Sequence, residues 1–169
     1  FTVDAAGRKM SKSLGNVIEP QKVWDKYGAE VLRLWVCMVD YREDMPVSDA
    51  MFQQVAEAYR KLRNTCRYLL SNLYDFDPAR DTVAEGDLDE LDRYALARHR
   101  QVVARVLTAY DEFEFHLVYH QLVQYCAADL SSFYLDVLKD RLYCDPASGP
   151  RRRSAQTVLH RLACDLTLL

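Results

Sequence analysis

The chain has 169 residues, half of them apolar, and carries 22 Lys and Arg against 25 Asp and Glu for a net charge of -3. That is enough chain for one good core, or for a small unit joined to a larger one, and the acidic balance excludes a polycationic nucleic-acid binder, so any RNA contact has to come from local patches. No apolar run approaches the ~20 residues that cross a bilayer, and five cysteines without a paired CxxC spacing argue against a zinc module or a disulfide framework. Four of the cysteines fall in apolar helical patterns, where a free thiol behaves as a small hydrophobe. A reducing, cytoplasmic setting is the expectation.

The chain opens on a strand-like alternation, Phe1-Thr2-Val3. The run Gly7-Arg8-Lys9-Met10-Ser11-Lys12-Ser13-Leu14-Gly15-Asn16 then crowds cations and hydroxyls between two glycines. Lysine ammoniums on long stems suit a polyphosphate, and the hydroxyls of Ser11 and Ser13 can bond phosphate oxygens or cap the loop. Such a loop is expected to be mobile without nucleotide and to close as charge develops on a leaving pyrophosphate. Pro20 suits a first helical position and Gly28 a stop, which predicts a short helix over 21–27. A second helix over 29–39 has so little polar surface that burial on most sides is expected. Pro46 limits Met45-Pro46-Val47 to an edge strand.

From Ser48 onward the period is helical. Ser48 or Asp49 caps a helix in which Phe52, Val55, Tyr59, Leu62, Cys66, Leu69 and Leu73 recur at steps of three and four. An acidic loop from Asp75 leads to Asp87 and Glu90, which have the spacing of a capping box, and a second helix to about Tyr110 buries Leu91, Ala95, Val102, Val103, Val106 and Tyr110. A third, from near Glu114 to Leu142, carries the stripe Val118, Leu122, Cys126, Leu130, Phe133 and Val137. After a loop marked by Pro146, Gly149 and Pro150, a fourth is lined by Ala155, Val158, Leu159, Leu162 and Leu166. The fold class is therefore mainly α: an antiparallel helical bundle over 49–169, preceded by a small α/β connecting unit over 1–48.

Among side chains that could carry chemistry, the pair His116 and His120 sits at i, i+4 but lacks an evident third ligand, so no metal site is expected. On the first bundle helix Arg60, Lys61, Arg63 and Arg67 occur without an intervening acid. They suit phosphates, with Asn64 for a base edge and Tyr68 as a stacking ring. The bland alternative is a solvated face with Glu57 pairing to Lys61. Arg151-Arg152-Arg153 opens the fourth helix, where positive charge opposes the helix dipole and hints at an external anion.

The loop contains KMSKS, a signature of class I aminoacyl-tRNA synthetases. GRKMSKSLGNVIEP followed by YGAEVLRLWV resembles the end of such a catalytic domain. The segments WVCMVDYREDMPVSD, YRKLRNTCRYLLSNLYDFDP and DLSSFYLDVLKDRLYCD, in that order, resemble the isoleucyl-tRNA synthetase family over nearly the whole chain. Tyr94 departs from the tryptophan expected there. The resemblance implies isoleucine activation with ATP and Mg2+, followed by transfer to tRNA(Ile). It implies Lys9 and Lys12 as catalytic residues on an ATP loop of Lys9, Met10, Ser11, Lys12 and Ser13, and a bundle that contacts tRNA through Arg60, Arg63, Asn64 and Arg67. The chain is expected to be a piece of a longer, monomeric enzyme, inactive alone. A valyl or leucyl enzyme, or a non-catalytic helical RNA-binding or scaffold module, are the alternatives.

Overall fold

The computed structural model describes residues 1–169. Strand β1 (Thr2–Val3) pairs in parallel with β2 (Met45–Pro46). Met45 N–H and Val47 N–H donate to the Phe1 and Val3 carbonyls, so the donor that Pro46 lacks faces away from the ladder, as the edge position requires. On the other side of β1, Lys9 bridges Val3 in antiparallel fashion.

Helix α1 (Pro20–Tyr27) starts on Pro20 and stops at Gly28, whose φ of 94° a side chain would resist; α2 (Ala29–Met38) follows at once. Helix α2 buries Val31 and Trp35, but Val36 is half exposed, so the expected burial on most sides is not realised. A small core of Val23, Val31, Trp35, Val47, Phe52 and Val55 joins this unit to the start of α3 (Asp49–Ser71), with the Trp35 and Phe52 rings 5.6 Å apart. Ser48 caps α3 by accepting the Met51 N–H at 3.3 Å, one of the donors a helix start leaves free.

The remaining helices are α4 (Pro78–Asp81), α5 (Glu90–Asp111), α6 (Phe115–Gln124), α7 (Leu135–Val137), α8 (Lys139–Cys144) and α9 (Pro150–Leu166). A π-helical segment, Tyr125–Tyr134, joins α6 to α7, so α6 to α8 form the single long element expected from Glu114 onward. Contacts give the directions. Asp92 meets Tyr134 and Arg141 while Arg98 meets Asp129, so α5 runs antiparallel to that element. Thr65 meets Ser131 and Tyr68 meets Leu135, so α3 runs parallel to it. Asn72 meets Gln156, and Ser154 meets Asp92, which seats α9 between α3 and α5. The bundle is up-down-up-down, but α3 and α5 lie diagonally opposed. The connection from Asn72 to Asp89 is long enough to cross the end of the bundle, which lets two helices consecutive in the chain lie apart.

Two further expectations are corrected. Phe133 and Val137 are exposed, and Tyr134, Leu135 and Leu138 are buried in their place. Each π turn holds an extra residue, so the apolar face moves on by one position beyond Leu130. The Asp87–Glu90 capping box does not form: α5 begins at Glu90 behind Asp89, and the Asp89 N–H donates to the Ser154 hydroxyl of α9 at 2.9 Å. The main core of 20 buried residues gathers Leu69, Val102, Val106, Leu130, Leu138, Leu159 and Leu162 with their neighbours. No helix is long and apolar enough to cross a membrane.

Candidate functional site

The basic loop hangs from β1. A tight turn over Asp4–Arg8, with Gly7 at φ 74°, brings the chain back so that Met10 N–H donates to Thr2 O at 3.1 Å. Asp4 organises the turn: its Oδ1 accepts Ala6 N–H and Arg8 N–H, and its Oδ2 accepts Arg8 Nε–H and Asn16 Nδ2–H, all at 3.0 Å. These bonds, led by Asn16 and then Arg8, hold the Asp4 carboxyl well below the usual carboxylate range. From Asn16 the same amide donates to Lys9 O at 3.4 Å and accepts Ser11 N–H at 2.8 Å.

Beyond that base, Lys12–Leu14 form a 3-10 turn capped by Ser11, whose Oγ accepts Ser13 N–H at 3.3 Å and lies 2.7 Å from Ser13 Oγ. The serines therefore cap the loop. Met10 packs against the small core, Lys9 Nζ stands 4.0 Å over the Phe1 ring, and Lys12 is exposed with no carboxylate within 4 Å. One end of the loop is fixed to the sheet, with the Lys9 ammonium resting on Phe1 beside it and Lys12 free on the turn. The donor set there suits an oligophosphate, and Asp4 is fully occupied by its own turn, so the loop offers no free carboxylate to a divalent cation.

The second candidate is the outer face of α3. At 3.6 residues per turn, Arg63, Arg67, Arg60, Asn64, Tyr68, Lys61 and Thr65 follow one another around the helix in that order. Arg60, Lys61, Arg63, Asn64 and Arg67 are all exposed. Glu57 lies 3.7 Å from Arg60 and not against Lys61, while Lys61, Arg63 and Arg67 have no carboxylate within 4 Å. Tyr68 departs from expectation. It is half buried against the main core and its hydroxyl donates to Leu135 O at 3.3 Å, so its ring is packing, not a free stacking surface. Asn64 borders a cleft of about 220 Å³ between α3 and the π segment, walled by Thr65, Ser131, Asp136 and Lys139.

The arginines that open α9 do not await an anion. Arg152 is buried and holds Asp75 through two nitrogens, Arg153 bonds Asp75 O and Gln156 Oε1, and Arg151 lies near Asp89 and Asp145. They tie the crossing connection down, which offsets their unfavourable place on the dipole. His120 is exposed, and the structure holds no cluster of three metal-ligating side chains. Sequence reasoning missed His99 and Asp92, both buried. His99 Nε2 lies 2.9 Å from Asp165 Oδ2 and its Nδ1 3.1 Å from the Tyr125 hydroxyl. Asp92 accepts from Tyr134, Arg141 and Ser154. Each sits where the α5 period calls for an apolar residue, which was the available signal.

The loop-bearing unit and the bundle that follows it each match a family of tRNA synthetases. Residues 1–48 match the family described as tRNA synthetases class I (I, L, M and V), and residues 92–169 match the anticodon-binding domain of tRNA ligase. Both matches are to tRNA ligases, and together they take in all of the chain except residues 49–91. Within that class its relatives are isoleucine–tRNA ligases. It is 61% identical over 169 residues to the one from Desulforudis audaxviator and 52% identical over 169 residues to that of Syntrophotalea carbinolica. It is also 58% identical over 163 residues to that of Symbiobacterium thermophilum. The chain spans 17–18% of the length of these relatives. Its fold is that of a region of the LeuRS–tRNA–LeuAMS ternary complex from Agrobacterium radiobacter, with a TM-score of 0.66 at 22% identity over 97% of this chain and 20% of that one.

Proposed function

We propose that this chain is the part of an isoleucine–tRNA ligase that carries the ATP-phosphate loop and the first tRNA-contacting helices, with the catalytic domain ending near residue 48 and the bundle over 49–169. The observation that carries this reading is the similarity of the whole of this chain to part of isoleucine–tRNA ligases, joined to a loop whose free ammonium, Lys12, sits on a pinned base. In the whole enzyme Lys9 and Lys12 bind the ATP phosphates and stabilise charge on the departing pyrophosphate, with Ser11 and Ser13 shaping the loop around Met10. Such preorganised cations act where charge develops. Mg2+ enters with the ATP phosphates, since the loop carboxylate is engaged elsewhere. The products are isoleucyl adenylate and then isoleucyl-tRNA(Ile), made by a monomer in the cytoplasm.

The α3 face supplies the RNA contact: Arg60, Arg63 and Arg67 neutralise backbone phosphates, and Asn64 offers one donor and one acceptor to a base or sugar. Two measurements test the whole reading. In the full-length enzyme, Lys12→Ala is expected to slow isoleucine-dependent pyrophosphate exchange by ~2–4 kcal/mol of transition-state stabilisation, with the isolated 169-residue chain inactive. Filter binding with isoleucine, valine and leucine tRNA transcripts is expected to favour the first. An unchanged exchange rate, or preference for another tRNA, overturns it.

A further inference from the structure

The side chain of Asn16 touches the loop at two backbone points, Lys9 O at 3.4 Å and Ser11 N–H at 2.8 Å, which flank Met10 between the two lysines. Its remaining amide proton goes to Asp4 Oδ2 at 3.0 Å, and Asp4 spends its other acceptor positions on Ala6 N–H, Arg8 N–H and Arg8 Nε–H. Both donors and one acceptor site of the Asn16 amide are used, two of these bonds on the loop backbone and one on a residue that directly follows β1. No other side chain joins the loop's outgoing limb to its incoming limb. Gly15, at φ 64°, turns the chain so that Asn16 lies back over Lys9. The tip, Lys12–Leu14, makes no comparable contact.

We propose that Asn16, oriented by Asp4, is the positioning residue of the loop: it fixes the backbone on both sides of Met10 and so sets where the Lys9 and Lys12 ammoniums stand before ATP arrives. This rests on the loop's role in adenylate formation. Neither residue touches the nucleotide. The clamp acts by holding the catalytic cations near their working geometry, and misplacement of such groups by about 1 Å costs on the order of 10²-fold in rate. Asp4 orients the Asn16 amide so that its nitrogen, not its oxygen, faces Lys9 O; the ionised carboxylate can only accept, which removes the flipped alternative.

The test uses the full-length ligase. Asn16→Ala is expected to lower the turnover of isoleucine-dependent pyrophosphate exchange by about 10- to 100-fold, with the KM for isoleucine unchanged. It is also expected to make trypsin cleavage after Lys9 and Lys12 severalfold faster in the absence of ATP. Asn16→Asp sets two carboxylates against each other and is expected to behave at least as badly. The double swap Asp4→Asn/Asn16→Asp re-forms one N–H···O bond with the donor on the other side but leaves Arg8 Nε–H facing a donor and Lys9 O without one, so it is expected to recover a few-fold over Asn16→Asp alone and not the parent rate, a readout that a general folding defect does not produce. Unchanged turnover and unchanged cleavage in Asn16→Ala, or a swap no better than Asn16→Asp, overturn the proposal. If instead Lys12→Ala leaves exchange unaffected, the catalytic reading of the loop fails, and the clamp then stands or falls on trypsin cleavage, compared in Asn16→Ala, Asn16→Asp and the double swap.

Discussion

Arg152, on the first turn of α9, is 5% exposed and grips Asp75, at the start of the connection that crosses the bundle, with Nη2 3.1 Å from Oδ1 and Nη1 on Oδ2. Its Nε–H donates to Leu142 O at 3.2 Å and a further bond reaches Ala147 O, so one guanidinium joins the end of α3, the end of α8 and the loop before α9. Three chain segments whose order the periodicity does not specify are thereby fixed.

Removing that guanidinium leaves Asp75 without its strongest partner and two carbonyls without donors. Arg152→Met, which keeps much of the stem, is expected to destabilise the chain by ~3 kcal/mol, the lower part of the range for breaking a buried pair, because Asp75 keeps Gln156 and some water. Urea unfolding followed by circular dichroism measures it. The sign with pH follows. Arg152 and then Gln156 hold the Asp75 carboxyl low, so its contribution is present above the ordinary carboxylate range and is lost as pH falls through the depressed folded value. In Arg152→Met that part of the acid sensitivity is expected to shrink.

His99 gives a second pH dependence, at higher pH. Asp165 can only accept, so Nε2 carries the proton and Nδ1 accepts from the Tyr125 hydroxyl: the ring is neutral and fully bonded. Burial lowers its pKa, against a smaller opposing pull from Asp165. A lowered folded value means that the unfolded chain binds the proton first. Stability is therefore intact above about pH 6.5 and falls as pH drops from there toward the folded value. His99→Gln is expected to be less stable at pH 8 but to lose less than the parent between pH 7 and pH 5, read from urea midpoints at each pH.

The π segment sets a contrast that an α-helical reading of the same residues reverses. Leu138 is fully buried and Phe133 is 44% exposed. Leu138→Ala is expected to cost 2–5 kcal/mol, roughly the range for a large-to-small change in a core, whereas Phe133→Ala should cost under about 1. Thermal or urea unfolding of the two variants distinguishes the registers.

That contrast marks where the sequence is legible. The stripes of α3 and α9, the Pro20 start, the Gly28 stop and the Ser48 cap were readable because each depends on a few neighbouring residues. The turn of the loop was readable for the same reason, since the Ser11 cap and the left-handed Gly15 depend only on their neighbours. What was hidden depends on distant partners. The register of Phe133 shifts because hydrogen bonds widen to i+5 in a helix whose composition looks ordinary. The arginines of α9 look like an anion site until Asp75, Asp81 and Asp89 fold onto them, and the Tyr68 ring looks free until Leu135 covers it. Asn16 reads as a turn residue, and nothing local reveals that its amide spans the loop.

The α3 face yields the prediction closest to the proposed RNA contact. Arg63 and Arg67 have no acidic partner, whereas Arg60 has Glu57 at 3.7 Å. A cation that neutralises one backbone phosphate releases about one counterion, so removing it lowers the slope of log affinity against log salt by roughly one. In the full-length enzyme, Arg63→Gln and Arg67→Gln are each expected to weaken binding of tRNA(Ile) and of non-cognate tRNA alike, and to flatten the salt dependence by that amount. Arg60→Gln is expected to do less, since its charge is already partly offset. Asn64→Ala should behave differently, lowering affinity without changing the salt slope, because an amide releases no counterion. Filter binding between about 50 and 200 mM salt separates these outcomes. Equal slopes in all four variants and the parent would remove α3 from the RNA interface, leaving its cations as a solvated helix face.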